Sequence, residues 1–125
     1  MHEYTPGMKH PLSEHATMGQ ADVPEIEPQH LDAHRGSVRI IDVREPHEYN
    51  AELGHIAGSE LVPLSGVLQA SAAWDRDEPL VMVCRSGGRS GQATHTLIDG
   101  GFTQVLNLRG GMLAWNEAGL ETAAE

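Results

Sequence analysis

The chain contains a single cysteine, Cys84, and the residues around it carry most of its chemical information. In Val81-Met82-Val83-Cys84-Arg85-Ser86-Gly87-Gly88-Arg89-Ser90-Gly91, an apolar run ends at a thiol, two arginines and two glycines follow, and a helix is expected to begin about five residues on. Ser86, Gly87 and Gly88 offer little side-chain bulk, so successive backbone N–H groups can turn inward as an anion-binding nest at a helix N-terminus. That dipole, with Arg85 and Arg89, favours thiolate over thiol; cysteines in such settings titrate ~1–5 units below the free value of about 8.5. Cys84 is therefore expected to be a nucleophile, with Arg85, Ser86, Gly87, Gly88 and Arg89 as its substrate-binding loop. Packing filler is the commoner fate of a free cysteine, but burial alone asks for neither the arginines nor the glycines.

Other polar residues admit two readings each. Arg89 falls in the first turn of the expected helix, where the macrodipole disfavours a cation, so an anionic partner is expected: either substrate or a carboxylate such as Asp42. Arg85, inside the loop, leans toward substrate. The hydroxyls of Ser86 and Ser90 can reach the sulfur, although a serine in a turn more often caps the next helix. Asp42, Arg44, Glu45 and Glu48 can be read as acid–base groups or, the favoured reading, as an ion-pair network pinning a strand end to the following helix. His55, in Gly-His-Ile, is expected to satisfy backbone groups in a loop. His30 and His34 have the i, i+4 spacing that can chelate zinc. No third ligand is recognisable near them, so a solvated helix face is preferred, and no metal or organic cofactor is assigned.

The elements that must position these residues follow from apolar patterning. Val38 to Val43 reads as a β-branched strand, Leu80 to Val83 as a strand buried on both faces of a parallel sheet, and Val105 to Leu108 as a third. Glu25-Ile26 and Glu60-Leu61-Val62 are shorter candidates, making five. Leu64, Val67, Leu68 and Ala72 fall at helical spacing, as do Ala93, Leu97 and Ile98, so each segment can lay an apolar stripe on the sheet. Gly100-Gly101 should stop the second helix, and a short final helix should carry Leu113 and Trp115. Trp74 and Trp115 read as packing residues. Strands alternating with helices indicate an α/β domain, and a chain of 125 residues suits one such domain. Residues 1 to 22 mix His, Met, Gly and Pro without period and read as a flexible extension, leaving the domain at 23 to 122.

Charge narrows the partners. With 8 Lys plus Arg against 18 Asp plus Glu, the formal charge is −10, which argues against a nucleic-acid or anionic-membrane surface and confines anion binding to the Cys84 loop. One cysteine permits no internal disulfide. No segment approaches the ~20 apolar residues of a membrane span, and the N-terminus has no apolar stretch for a signal peptide, so the cytoplasm is the expected compartment.

Four ordered motifs resemble the rhodanese family of sulfurtransferases, specifically its stand-alone single-domain members. They are Ile41-Asp42-Val43-Arg44-Glu45 with Glu48-Tyr49, Gly54-His55-Ile56-Ala57-Gly58-Ser59, the Cys84 to Ser90 loop, and Gly101-Phe102 with Gly110-Gly111 and Trp115. Ala57 stands where the family usually has proline. The resemblance covers roughly residues 23 to 120. It implies a three-layer α/β fold with a central, mainly parallel five-stranded sheet, and double displacement through a cysteine persulfide. An anionic donor such as thiosulfate or a low-molecular-weight persulfide, a thiol or cyanide acceptor, and a sulfur-relay protein are the partners it suggests. A phosphatase or arsenate reductase of the related Cys…Arg type is a rival, but four residues separate Cys84 from Arg89 and those enzymes resemble the same fold with a longer loop. A non-catalytic sulfur-carrier or binding module is a second rival, against which the retained cysteine counts.

Overall fold

The computed structural model describes residues 10–19 and 22–123. Its centre is one six-stranded sheet in the order β1-β2-β6-β5-β3-β4, made of β1 (Thr17–Met18), β2 (Pro24–Ile26), β3 (Arg39–Asp42), β4 (Glu60–Leu61), β5 (Leu80–Val83) and β6 (Val105–Leu108). All neighbours pair in parallel except β1 with β2. The helices are α1 (Pro28–Ala33), α2 (Pro46–Tyr49), α3 (Val67–Ser71), α4 (Gly88–Asp99) and α5 (Gly111–Glu117).

Strand alternation sorts the core into two layers. Ile40, Val81, Val83, Leu106 and Leu108 pack with Leu31, Met112 and Trp115 on the face covered by α1 and α5. Ile41, Leu80, Met82, Cys84 and Val105 pack with Val67, Ala93 and Leu97 on the face covered by α3 and α4. The central strands β5 and β6 are buried at every position, as the continuous apolar sequence of β5 requires; β6 is apolar but for Asn107. Register then places Cys84, one residue beyond β5, on the α4 face at the carboxyl edge of the sheet, where open α/β sheets bind ligands.

Helix α4 ends where Gly100-Gly101 was expected to stop it. Gly101 has φ 98°, its N–H donates to Ile98, and the N–H of Phe102 reaches back to Leu97, closing both carbonyls of a Schellman motif. Trp115 is fully buried, with Nε1–H donating to the Glu121 carbonyl at 3.0 Å. Trp74 packs edge-on to Phe102 and lies under the Arg39 guanidinium.

Three expectations need correction. The sheet has six strands, not five, because Thr17–Met18 adds an antiparallel edge. Residues 10–19 belong to the folded body, not to a flexible extension; residues 1–9 and 20–21 lie outside the described part. Leu12 is wholly buried in the Trp115 layer, worth about 1.5–3 kcal/mol. His10 is buried beside it, its Nδ1 accepting from the Leu12 N–H and its Nε2–H donating to the Leu80 carbonyl at 3.4 Å. A single leucine carries no periodicity, so its tertiary burial leaves no local trace. Leu68 is 70% exposed: a tight turn over Leu64–Gly66 precedes the five-residue α3 and shifts the phase of its apolar face. Among the described residues no helix is long and apolar enough to cross a membrane.

Candidate active site

The buried strand β5 delivers Cys84 to the sheet edge with only 1% of its surface exposed. The chain then turns through Arg85, Ser86 and Gly87 into α4. Gly87 takes φ 106°, open to glycine and strained for other residues, and is the residue from which the helix starts. Its N–H donates to Cys84 Sγ at 3.0 Å, and the hydroxyl of Ser90, itself fully buried, donates to the same sulfur at 3.2 Å. Ser90 therefore serves the sulfur and not the helix terminus. Two donors converging on one sulfur favour a negative charge there.

The outward face of the loop is tied down by backbone. The carbonyls of Cys84 and Arg85 accept from the N–H groups of Met112 and Leu113, at 2.8 and 2.9 Å, in the first turn of α5. With these carbonyls turned toward α5, the Gly87 N–H is left facing the sulfur. Gly111 makes the approach possible: it has φ 57°, and a methyl group there would overlap both carbonyls. The Gly87 carbonyl accepts twice, from Gly91 N–H at 3.0 Å and from the side-chain amide of Asn107 at 3.1 Å.

The ionic residues gather on the opposite flank. Asp42 and Arg44 form a buried pair at 2.8 Å, and Arg44 also donates to the carbonyls of Glu48 and Gly54, joining the end of β3 to α2 and the following loop. This is the pinning network, with every partner supplied by the protein. Glu45 starts α2, and its N–H donates to the Glu48 carboxylate. Arg89 pairs with Glu48, not with Asp42: its two terminal nitrogens meet the two carboxylate oxygens at 2.7 and 2.9 Å. The Arg89 hydrogen bonds hold the Glu48 carboxyl down to about 2, against the opposing effect of burial, and raise the Arg89 guanidinium in turn.

Arg85 is exposed, has no ion pair among the described residues, and lines a cleft of about 160 Å³ with Arg44, His47 and Glu48. Across the loop, Ser86, Gly87 and Gly88 border an open groove of about 650 Å³ that runs to Met18, Glu25 and Arg109. His55 is removed from this chemistry. It stacks on Tyr49 at 3.7 Å, its Nδ1–H donates to the Tyr49 carbonyl, and its backbone pairs with Ala123.

His30 and His34 are not arranged as a chelate: His34 Nδ1 bonds the His30 carbonyl, and His30 stacks on His15. Among the described residues no group of three His, Cys, Asp or Glu is disposed to hold a metal ion. Sequence reasoning missed Asn107, the buried amide against the loop, and the pairing of Glu48 with Arg89. A polar residue interrupting the apolar strand Val105-Leu106-Asn107-Leu108 is the signal that could have found the first.

Comparison with known proteins agrees with this geometry. Residues 27–118 match the rhodanese-like domain family. The chain is 42% identical over 77 residues to an uncharacterized protein, YqhL, of Bacillus subtilis, covering 62% of this chain and 60% of that one. It is 40% identical over 77 residues to thiosulfate sulfurtransferase GlpE of Pseudomonas paraeruginosa, covering 62% and 68%. Among solved structures, a rhodanese-related protein from Thermoplasma volcanium superposes with a TM-score of 0.74 at 29% identity, over 81% of this chain and 98% of that one. The chain thus spans less than two thirds of the Bacillus relative's length.

Proposed function

The chain belongs to the rhodanese-like domain family, and from that premise we propose that it transfers sulfane sulfur through a persulfide on Cys84. The observation that carries the reading is the joint donation of the Gly87 N–H and the Ser90 hydroxyl to the Cys84 sulfur. Donors fixed in advance stabilise an anionic sulfur without reorganising during the reaction.

The Cys84 thiolate attacks the outer sulfur of an anionic donor such as thiosulfate or a small-molecule persulfide. A new S–S bond forms as the donor's S–S bond breaks, and with thiosulfate the sulfite leaves with the electron pair. A cyanide or thiolate acceptor then attacks the outer sulfur of the persulfide. Cys84 departs as thiolate, and the product is thiocyanate or a new persulfide. The cycle needs no external oxidant, and the reactive thiol suits a reducing compartment such as the cytoplasm.

Arg89 is already engaged by Glu48 on both terminal nitrogens, which leaves Arg85 as the cation that meets the donor. The same engagement weighs against phosphate hydrolysis, where the arginine that closes the loop must be open to the tetrahedral anion. Thiocyanate formation from thiosulfate and cyanide is expected, and Cys84→Ser should abolish it. Arg85→Ala should raise KM for thiosulfate roughly tenfold with little change in kcat, the pattern of lost ground-state binding. Efficient hydrolysis of an aryl phosphate without thiocyanate formation would overturn the reading.

A further inference from the structure

We propose that Asn107 is a positioning residue for the reaction: from the neighbouring strand it fixes Gly87 so that the Gly87 N–H stays aimed at the Cys84 sulfur. The proposal takes its consequence from the sulfurtransferase reading and its geometry from contacts that do not depend on it.

Asn107 occupies the third position of β6, between Leu106 and Leu108, and is wholly buried. Asparagine is a poor strand residue, and an amide in an apolar layer is costly unless its groups are hydrogen-bonded. Its presence therefore needs a reason that a valine there would not. The amide nitrogen donates at 3.1 Å to the Gly87 carbonyl and at 2.9 Å to the Glu25 carboxylate. Both partners can only accept, so the nitrogen must be the atom that faces them. The amide oxygen is left buried with no hydrogen-bond partner among the described residues. The side chain is thus held for its donor at the expense of its acceptor, an arrangement that packing alone does not favour.

What the donor holds is the residue that touches the sulfur. Gly87 sits at φ 106° and ψ −12°, against the end of β6: a methyl group on it would lie 3.4 Å from the Gly110 nitrogen. Its carbonyl is gripped from the helix by Gly91 N–H and from the sheet by Asn107, while its own N–H lies 3.0 Å from the sulfur. Freed from Asn107, Gly87 can rock about its dihedrals, because glycine has no Cβ to confine it. Glu25, the second acceptor, is itself anchored by Arg109, which reaches on to the Thr17 hydroxyl in β1. The grip on Gly87 therefore extends to the edge strand formed by residues 17 and 18.

The test measures the pH dependence of Cys84 alkylation by iodoacetamide in the full chain carrying Asn107→Asp, which turns an acceptor toward two acceptors, or Asn107→Ser, which is too short to reach Gly87. In both variants the midpoint should rise by about one pH unit, roughly a tenfold loss of reactive thiolate below both midpoints. Sulfur uptake from thiosulfate at neutral pH should slow by a similar factor, with KM little changed. A lowered melting temperature with an unmoved midpoint would show a merely structural role and overturn the proposal. Should neither variant fold, NMR of the unsubstituted protein decides: slow-exchanging Asn107 side-chain amide protons support the grip, and rapidly exchanging, averaged ones refute it. Alkylation needs no sulfur donor, so the two readings fail separately. A midpoint that moves in a protein taking up no sulfur sinks the sulfurtransferase reading alone, and an unmoved midpoint in a protein that does take it up sinks the positioning role alone.

Discussion

The two flanks of the Cys84 loop are held by different chemistry. On the α2 side the contacts are ionic: the buried Asp42–Arg44 pair fixes the end of β3, and Glu48 grips Arg89 in the first turn of α4. On the β6 and α5 side the groups that touch the loop are neutral: two backbone N–H groups on the carbonyls of Cys84 and Arg85, a glycine in close approach, and the Asn107 amide on Gly87. In the first arrangement the Glu48–Arg89 pair joins side chains 41 positions apart and responds to acid. The second fixes backbone geometry and does not titrate in the ordinary range. The division suits a reaction whose charge develops on sulfur, because Gly87, whose N–H is aimed at that sulfur, is gripped directly by neutral groups, the Gly91 N–H and the Asn107 amide.

Breaking the ionic flank at its buried end should have the largest effect. Arg44→Ala leaves the Asp42 carboxylate buried without its partner, and a cost of about 3–5 kcal/mol in unfolding free energy is expected in a denaturant titration. Gly111→Ala breaks the neutral flank. The positive φ alone costs about 1–3 kcal/mol, and overlap with the loop carbonyls must displace them. Sulfur transfer should therefore fall roughly 100-fold, in line with misplacement of a reacting group by about an ångström. Loss of stability without loss of rate would show that the loop does not depend on α5.

Glu48→Gln is the mildest change and the sharpest probe of the difference. At neutral pH it should cost no more than about 1 kcal/mol, since the pair is partly solvated. Because the folded carboxyl is held to about 2 against an ordinary 4.5, its contribution is complete above pH 4.5 and is lost as pH falls toward 2. The unsubstituted protein should accordingly lose stability across that window. The Gln variant should lose less over the same window, and parallel acid titrations of the two proteins would refute the assignment.

The parts of this architecture visible in sequence are those written locally. Val81-Met82-Val83 before a lone cysteine, and Gly87-Gly88 after it, announce a buried strand, a thiol at the sheet edge and a turn within a dozen positions. Gly100-Gly101 announces a helix stop. The supports of the site are not local. Glu48 and Arg89 are 41 positions apart, and Asn107 reaches Gly87 across 20 and Glu25 across 82. Sequence alone left Arg89 divided between substrate and a carboxylate such as Asp42, because several carboxylates lie at and after the end of β3 and only the path of α2 decides which one arrives. Ser90 had the right chemistry but two possible tasks, and its burial under the sulfur settles which. Leu12 lay inside a segment without pattern, and a single residue filling a gap in a core has no signature of its own.

The central claim is that the loop is built to hold one additional sulfur on Cys84. Intact mass measured after incubation with thiosulfate and no acceptor tests it most directly. The expected result is the addition of one sulfur atom to the unsubstituted chain, removed by cyanide and absent from Cys84→Ser. An unchanged mass, or a sulfur that the Cys84→Ser protein also acquires, would contradict it.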